Sequence, residues 1–274
     1  MKFDKIRLVG TTNVDLPILE EAGSSIFVFK GADGLGPPPI TVNIARTVLD
    51  AGVFQSKKAA LRQPIIRIGL NPAWNYGQSP EELRTVLYGL LTPRGGGLVK
   101  MQLMYQDQVV AVAQGHISSM EPSIFTKDPE VQVTLECDHP YLLAPEDLRQ
   151  QAHKTVVGGW TVIDVENPGT APSGFLINLV LRANVGNQLV FSDHPSGRRV
   201  DIVGLNWVAN DRFTMDTREG TRGVYRNGAL ILNNMSLASE WLTTYGGLTQ
   251  FSINTPAFDW VDYGVLHKPA YWGV

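Results

Sequence analysis

The chain has 274 residues, with 23 Lys and Arg against 26 Asp and Glu, so its formal net charge at pH 7 is −3. Hydrophobic residues make up 43% and charged residues 18%, which is enough to bury a core and excludes a solvated polar tail. The 27 glycines and 17 prolines favour turns and short elements over long helices. This length suits two domains or one large one.

Several functional classes are excluded at this stage. Charge is spread evenly along the chain, without the basic excess that a nucleic-acid backbone attracts. The longest strongly apolar stretch, Phe175–Leu181, is far shorter than the roughly 18 residues of a membrane span. Four of the first seven residues are charged, which argues against a secretory signal. The single cysteine, Cys137, excludes an internal disulfide framework.

The first half begins with β-rich runs separated by turns. We predict strands over residues 3–8 and 24–30, and another over 61–70. Residues 31–39 (GADGLGPPP) predict a loop or a crossover between strands, because glycines permit unusual backbone angles and prolines force an extended path. The prolines also remove the N–H groups that a phosphate-binding loop needs.

One helix is predicted in this half. Ser79 is a helix N-cap, followed by a proline and by Glu82 in the positions of a capping box. Apolar side chains then recur in one stripe, at Leu83, Val86, Leu87 and Leu90. The spacing predicts a helix of about three turns that packs on a sheet.

A hairpin and a half-buried strand follow the helix. Residues 98–105 and 109–114 flank a polar turn at 106–108. Residues 130–136 alternate between apolar and polar side chains, which is typical of an antiparallel strand with one buried face. Residues 138–154 are polar and without apolar period, so we place a domain boundary near residue 150 and expect domains at 1–150 and 151–274.

The second half reads as strands and turns almost throughout. Asn227 and Gly228 form the strongest short hairpin signal in the chain. Strands are predicted over residues 160–165, 175–181, 188–191, 200–203, 213–216, 225–232 and 250–253. Short strands at this spacing indicate a β-sandwich or a jelly roll. The fold class expected from the residues is mainly β, in two domains, with one short helix.

A search for catalytic chemistry finds little. The five histidines include no pair at i and i+4, and the sequence has neither a nucleophile elbow nor a phosphate-binding loop. Cys137 and His139 form a C-x-H pair, which we interpret as a buried core residue and a loop residue.

Two further groups of residues are open to a functional interpretation. The acids Asp211, Asp216 and Glu219, near Arg212 and Arg218, could be read as paired carboxylates, but we favour a polar loop beside a strand end. The six tryptophans are Trp74, Trp160, Trp207, Trp241, Trp260 and Trp272. Exposed tryptophans could stack on sugars, but we favour a place in the core or in a subunit interface. We assign no catalytic, cofactor-binding or metal-binding residue and expect neither an enzyme nor a cofactor.

The order of these features resembles the distal tail proteins (Dit) of bacteriophages with long non-contractile tails. The resemblance extends over nearly the whole chain. In the first half it rests on residues 31–39, 40–44 and 62–70, the helix at Ser79, the hairpin through Gly115, and residues 131–141. In the second half it rests on residues 165–170, 175–181 and 213–217, the hairpin after Tyr225, and Trp241 followed by residues 245–247.

The resemblance implies a β-rich ring (belt) domain followed by a galectin-like β-sandwich. In that family the first domain forms a hexameric ring that continues the tail tube, and the second decorates its outside. The implied role is a structural hub of the tail tip, located at the distal end of the tail in the virion and made in the host cytoplasm. The implied partners are other copies of the chain, the tail tube protein and the tail-tip hub protein, with tape measure or receptor-binding proteins as further candidates.

Two alternatives to a scaffold stay open. Galectin topology suggests a carbohydrate-binding protein for host attachment, but the sugar-binding set of galectins is incomplete here. His194 and Arg198 lack the asparagine between them, and Trp207 is followed by an Asp-Arg pair rather than Glu-Arg. A hydrolase that acts on cell-surface polymer is the other alternative.

Overall fold

The computed structural model describes residues 2–10, 12–17, 25–46, 52–71, 78–92, 97–123, 128–150, 160–194, 196–255 and 258–273. The chain forms two compact units: unit 1 is Met1–Pro145 with Tyr271–Val274, and unit 2 is Glu146–Ala270. The chain therefore leaves unit 1 once and returns to it after unit 2. Both units consist mainly of β-strands, which confirms the predicted fold class.

Unit 1 contains a curled antiparallel sheet, one helix and a separate hairpin. Its elements are β1 (Lys5–Val9), β2 (Asn13–Pro17), β3 (Phe27–Asp33), β4 (Ile40–Arg46), β5 (Gly52–Ala59), β6 (Ile65–Leu70), α1 (Pro80–Leu91), β7 (Val99–Tyr105), β8 (Gln108–Pro122), β9 (Glu130–Cys137) and β10 (Leu142–Leu143). The sheet has the order β2-β1-β7-β8-β9-β6-β3, with β10 beside β8. Its end strands β2 and β3 contact each other, so the sheet curls around its own core. The core includes Ile6, Leu8, Ile66, Met101, Val133 and Leu135.

Helix α1 has the predicted N-terminus. The Glu82 N–H donates to the Ser79 hydroxyl at 3.2 Å, and the Ser79 N–H donates to the Glu82 carboxylate at 2.8 Å. The buried residues of the helix are Leu83, Leu87 and Leu91. The predicted stripe is wrong at Val86, which is exposed. Because each residue advances the helix by about 100°, Val86 lies a quarter-turn from the middle of the buried arc at Leu87.

The hairpin after the helix has a tighter turn than its sequence predicted. Strands β7 and β8 are joined by two residues, Gln106 and Asp107, with φ of 50° and 60°. Two positive φ angles in a two-residue loop are the pattern of a type I′ turn, which matches the natural twist of paired strands. The predicted alternating strand is β9, whose apolar side chains face the core.

Unit 2 is a sandwich of two antiparallel sheets. Its elements are β11 (Leu148–Gln150), β12 (Trp160–Asn167), β13 (Phe175–Leu181), β14 (Gly186–Asp193), β15 (Arg199–Trp207), β16 (Arg212–Asp216), β17 (Gly223–Arg226), β18 (Ala229–Leu230), a 3-10 turn (Leu232–Asn234), β19 (Gly247–Asn254) and β20 (Phe258–His267). One sheet has the order β11-β20-β13-β16-β17-β18 and the other β12-β19-β14-β15. Strand β21 (Ala270–Tyr271) then carries the chain back to unit 1, where it pairs with β10.

Aromatic pairs join the two sheets of the sandwich. Phe175 on β13 lies 4.7 Å from Phe251 on β19, between ring centroids, and Phe213 on β16 stacks at 4.8 Å on Phe191 of β14. All four rings are fully buried. Each ring comes from an inward-facing position of its strand, so the period-two pattern of the sequence builds the core directly.

Candidate assembly surface

Strands β4 and β5 form a hairpin that we call the arm. Among the described residues, these two strands pair only with each other. Ile40, Val42 and Ile44 lie on one face of β4, since alternate residues of a strand share a face, and they are 40%, 48% and 59% exposed. A row of exposed apolar side chains on a strand with a free edge is typical of a surface that another chain covers.

The arm is joined to unit 1 through residues 34–39 and 60–62, which we call the arm base. Gly34 has a φ of +75°, and a Cβ there would lie 2.5 Å from a neighbouring carbonyl oxygen, so this position requires glycine. Three prolines then extend the chain. The Ala60 N–H donates to the carbonyl oxygen of Pro39 at 2.8 Å, which closes the base of the hairpin.

One buried side chain, Arg62, organises the arm base. Its Nη1 donates to the carbonyl oxygens of Gly34 at 2.8 Å and Gly36 at 2.9 Å. Its Nε donates to the carbonyl oxygen of Pro140 at 3.1 Å, and its Nη2 to that of Trp272 at 2.6 Å. The guanidinium therefore holds three separate segments of unit 1 together. Arg62 is buried at this position, with only 2% of its surface exposed.

The residues around the Arg62 guanidinium do not include a reactive nucleophile in the described part of the chain. Burial lowers the pKa of Arg62, and Cys137 acts on it in the opposite direction. Burial raises the pKa of the Cys137 thiol to about 11, in spite of the positive charge of Arg62. A thiol with this pKa is not a nucleophile at neutral pH, and Cys137 is the core residue that the sequence predicted.

Asp211 and Asp216 do not form a catalytic pair, and Glu219 is exposed beyond the end of β16. Asp211 and Asp216 lie at opposite ends of β16, roughly 17 Å apart at the usual rise of a strand. Asp211 accepts from Arg226 Nη2 at 2.6 Å, and Asp216 accepts from Arg218 through both of its oxygens. Each carboxylate is thus used within the fold, as the polar-loop interpretation expected.

Burial alone would raise the pKa of Asp211, but hydrogen bonds from the side chains of Arg226 and Asn227 and from the Val208 N–H outweigh it. The pKa of Asp211 therefore lies below its ordinary value. The Arg226 guanidinium also lies 5.2 Å from the centroid of the Trp207 ring. It donates to the Asn206 carbonyl oxygen as well, so Arg226 on β17 links β15 to the residue that precedes β16.

The tryptophans do not form an exposed sugar-binding platform in the described part of the chain. Trp207 is fully buried, and Trp241 packs against the core of unit 2. Trp272 belongs to unit 1. Trp74, and the side chains of Trp160 and Trp260, lie outside the described residues.

Three of the described histidines have structural contacts, whereas His116 is exposed and His153 lies outside the described residues. His194 hydrogen-bonds to Ser252, and His139 lies edge-on against Tyr141. His267 is fully buried, and its Nε2 lies 2.9 Å from the Glu166 carbonyl oxygen. Burial lowers the pKa of His267, against the effect of that hydrogen bond. Within the described ranges, no three His, Cys, Asp or Glu side chains converge on a possible metal position. No described helix has the length and apolarity that a membrane crossing requires.

Comparison with known proteins identifies the fold. No protein-family model and no curated protein sequence matches the chain. The crystal structure of the SPP1 Dit (gp 19.1) protein, a paradigm of the hub adsorption apparatus in phages that infect Gram-positive bacteria, matches 97% of this chain and 98% of its own, with a TM-score of 0.58 and 14% identity. Two structures of the activated phage p2 baseplate, with Ca and with Sr, match 94% of this chain and 99% of theirs at 11% identity, with TM-scores of 0.38 and 0.37. The chain thus has the fold of SPP1 Dit over nearly its whole length.

Proposed function

We propose that this protein is a structural hub of a phage tail tip, a closed hexameric ring that joins the tail tube to the tip or baseplate proteins. The observation that carries the proposal is the likeness in fold to SPP1 Dit over 97% of this chain. The arm supports it independently, because Ile40, Val42 and Ile44 form an apolar row that a monomer leaves in water.

A ring needs an interface that closes on itself. Each copy presents one surface to the next copy and accepts a different surface from the previous one. We assign the arm to the presenting side, because it is a hairpin with exposed apolar residues whose two strands, within the described ranges, pair only with each other. The partners are the tail tube protein and the tail-tip hub protein, with tape measure or receptor-binding proteins as further candidates, and the site of action is the distal end of the tail in the virion.

The candidate catalytic residues Asp211, Asp216 and Cys137 argue against catalysis. Asp211 and Asp216 are bound to arginines, and Cys137 is protonated and buried. A scaffold requires only shape and packing, so we propose that the protein is not an enzyme and needs no cofactor. The carbohydrate-binding alternative rests on galectin topology, with exposed tryptophans as possible sugar platforms, and Trp207 is inside the core.

The decisive experiment is the mass and symmetry of the full chain in solution. A hexamer of a 30.1 kDa chain has a mass of about 181 kDa, which mass photometry resolves, and negative-stain electron microscopy would display six-fold rings. A monomer across micromolar concentrations, with no rings on grids, would refute the proposal.

We also propose that the domain predicted at residues 1–150 forms the ring, together with Tyr271–Val274, which the structure adds to unit 1, and that the rest of the predicted domain at 151–274 folds separately. The supporting feature is the polar segment at 138–154, in which the chain passes from unit 1 to unit 2 after Pro145. Limited proteolysis should cut there first. Early cleavage within Phe175–Leu181 instead would show that the boundary is misplaced.

A further inference from the structure

Residues 271–273 belong to unit 1 although they follow all of unit 2 in the chain. Trp272 supplies its carbonyl oxygen to Arg62 at 2.6 Å. Gly273 lies so close to the arm base that a Cβ on it would come within 2.6 Å of the Gly36 carbonyl carbon. These contacts place the segment directly against the loop that leads into the arm.

The aromatic ring of Trp272 fixes this segment from its other side. It meets Tyr141 edge-on, with ring centroids 4.9 Å apart. Tyr141 directly follows Pro140, whose carbonyl oxygen is another acceptor of Arg62. The guanidinium thus binds one segment that precedes unit 2, one that follows it, and the loop that starts the arm.

The hydrogen bonds of Arg62 leave little room for substitution. Four of its five N–H groups are used, and all four go to backbone carbonyl oxygens. A buried cation that has no carboxylate partner among the described residues depends on these dipoles for the solvation that water would otherwise supply. Loss of the Trp272 acceptor therefore weakens the whole arrangement, including the bonds to Gly34 and Gly36.

We propose that residues 271–273 complete the arm base, so that the arm takes its assembly-competent position only after the chain has been synthesised through unit 2. This inference rests on the proposed function, in which the arm forms the ring interface. In a chain that stops before residue 271, Arg62 has lost an acceptor and the arm base has lost the packing of Gly273. Incomplete chains are thereby kept out of the ring.

Two glycines on opposite sides of one contact provide a matched test in the full chain. Gly273→Ala forces a Cβ against the arm base, whereas a Cβ at Gly36 meets nothing within 4 Å. Hydrogen exchange followed by mass spectrometry should show amides of residues 34–46 exchanging at least tenfold faster in Gly273→Ala. In Gly36→Ala the rates should stay within about twofold of the wild type, and unit 2 should be unchanged in both.

A second pair tests the guanidinium itself. Arg62→Lys keeps the charge but concentrates its donors on one nitrogen, which cannot reach carbonyls on three segments. It should accelerate exchange in the same residues, whereas Arg67→Lys, at an exposed ion pair with Asp33, should not. Unchanged exchange at the arm in both Gly273→Ala and Arg62→Lys would overturn the inference, and so would equal acceleration throughout unit 2.

Ring yield separates this inference from the proposed function. Both Gly273→Ala and Arg62→Lys should form at least tenfold fewer rings than the wild type at equal concentration. Rings formed equally well by these variants would overturn the inference and leave the proposed function intact. A wild-type protein that forms no rings would refute the proposed function, whatever the exchange pattern.

Discussion

Replacement of the apolar row on the arm should abolish assembly without unfolding the protein. The triple variant Ile40→Thr, Val42→Thr and Ile44→Thr keeps β-branched side chains, so the strand propensity of β4 is preserved. About half of each side chain surface is still available for burial in a partner. Since full burial of such a side chain is worth ~1.5–3 kcal/mol, each substitution should remove about 1 kcal/mol from the interface. The three together remove about 3 kcal/mol, roughly a hundredfold in the association constant of each contact.

Mass photometry over a concentration series would measure the loss of assembly, and thermal melting would report on the fold. The melting temperature should stay close to that of the wild type, because substitutions at exposed positions change stability by less than about 0.5 kcal/mol. Leu98→Thr is the matched control: Leu98 is 42% exposed in unit 1 but lies outside the arm, so its loss should leave assembly intact. Rings that form normally in the triple variant would refute the assignment of the arm as interface.

Further predictions concern stability and reactivity. The free energy of unfolding should fall as the pH is lowered from 6.5 to 5, because burial lowers the pKa of His267 in the folded state and the unfolded chain therefore binds the proton first. Urea titrations at several pH values measure this dependence. In His267→Gln, the free energy of unfolding should change less with pH over the same range. Cys137 should react with a thiol reagent only on unfolding, as absorbance in native and denaturing buffer would record. In urea titrations, Asp211→Ala should lower the free energy of unfolding by about 3 kcal/mol, because it leaves Arg226 without its buried carboxylate partner. Arg67→Gln, which breaks an exposed ion pair with Asp33, should lower it by less than about 0.5 kcal/mol. Excess EDTA should leave the melting temperature unchanged, and a fall restored by one divalent ion would contradict the scaffold role.

Sequence predicted those elements whose pattern is local. The capping box at Ser79 marks the start of α1, because both of its hydrogen bonds join residues three apart. Strand β13 has the predicted bounds, since its apolar and half-buried positions alternate without interruption. Asn227 and Gly228 both have positive φ, as a tight hairpin turn requires.

Elements with interrupted patterns were missed. Strand β20 (Phe258–His267) is long, but its pairing shifts register opposite both β11 and β13, and Gly264 has a positive φ. A bulge of this kind breaks the period of two on which recognition of a strand depends. The role of Arg62 was missed for another reason: its acceptors are backbone carbonyls 26 to 210 residues away, which leave no side-chain signature.

Exposed apolar side chains occur in both units, and in the arm three of them share one face of a strand. In unit 2, acids such as Asp211 and Asp216 are bound by arginines of the same unit, and Trp207 is buried with the core. In unit 1, Ile40, Val42 and Ile44 have the spacing that normally marks a core strand, yet they face solvent. An apolar row with this spacing that no described residue covers supports the proposal that another copy of the chain buries it. The apolar spacing is therefore present in the sequence, but only the structure shows that these side chains are exposed on a hairpin whose two strands, among the described residues, pair with each other alone.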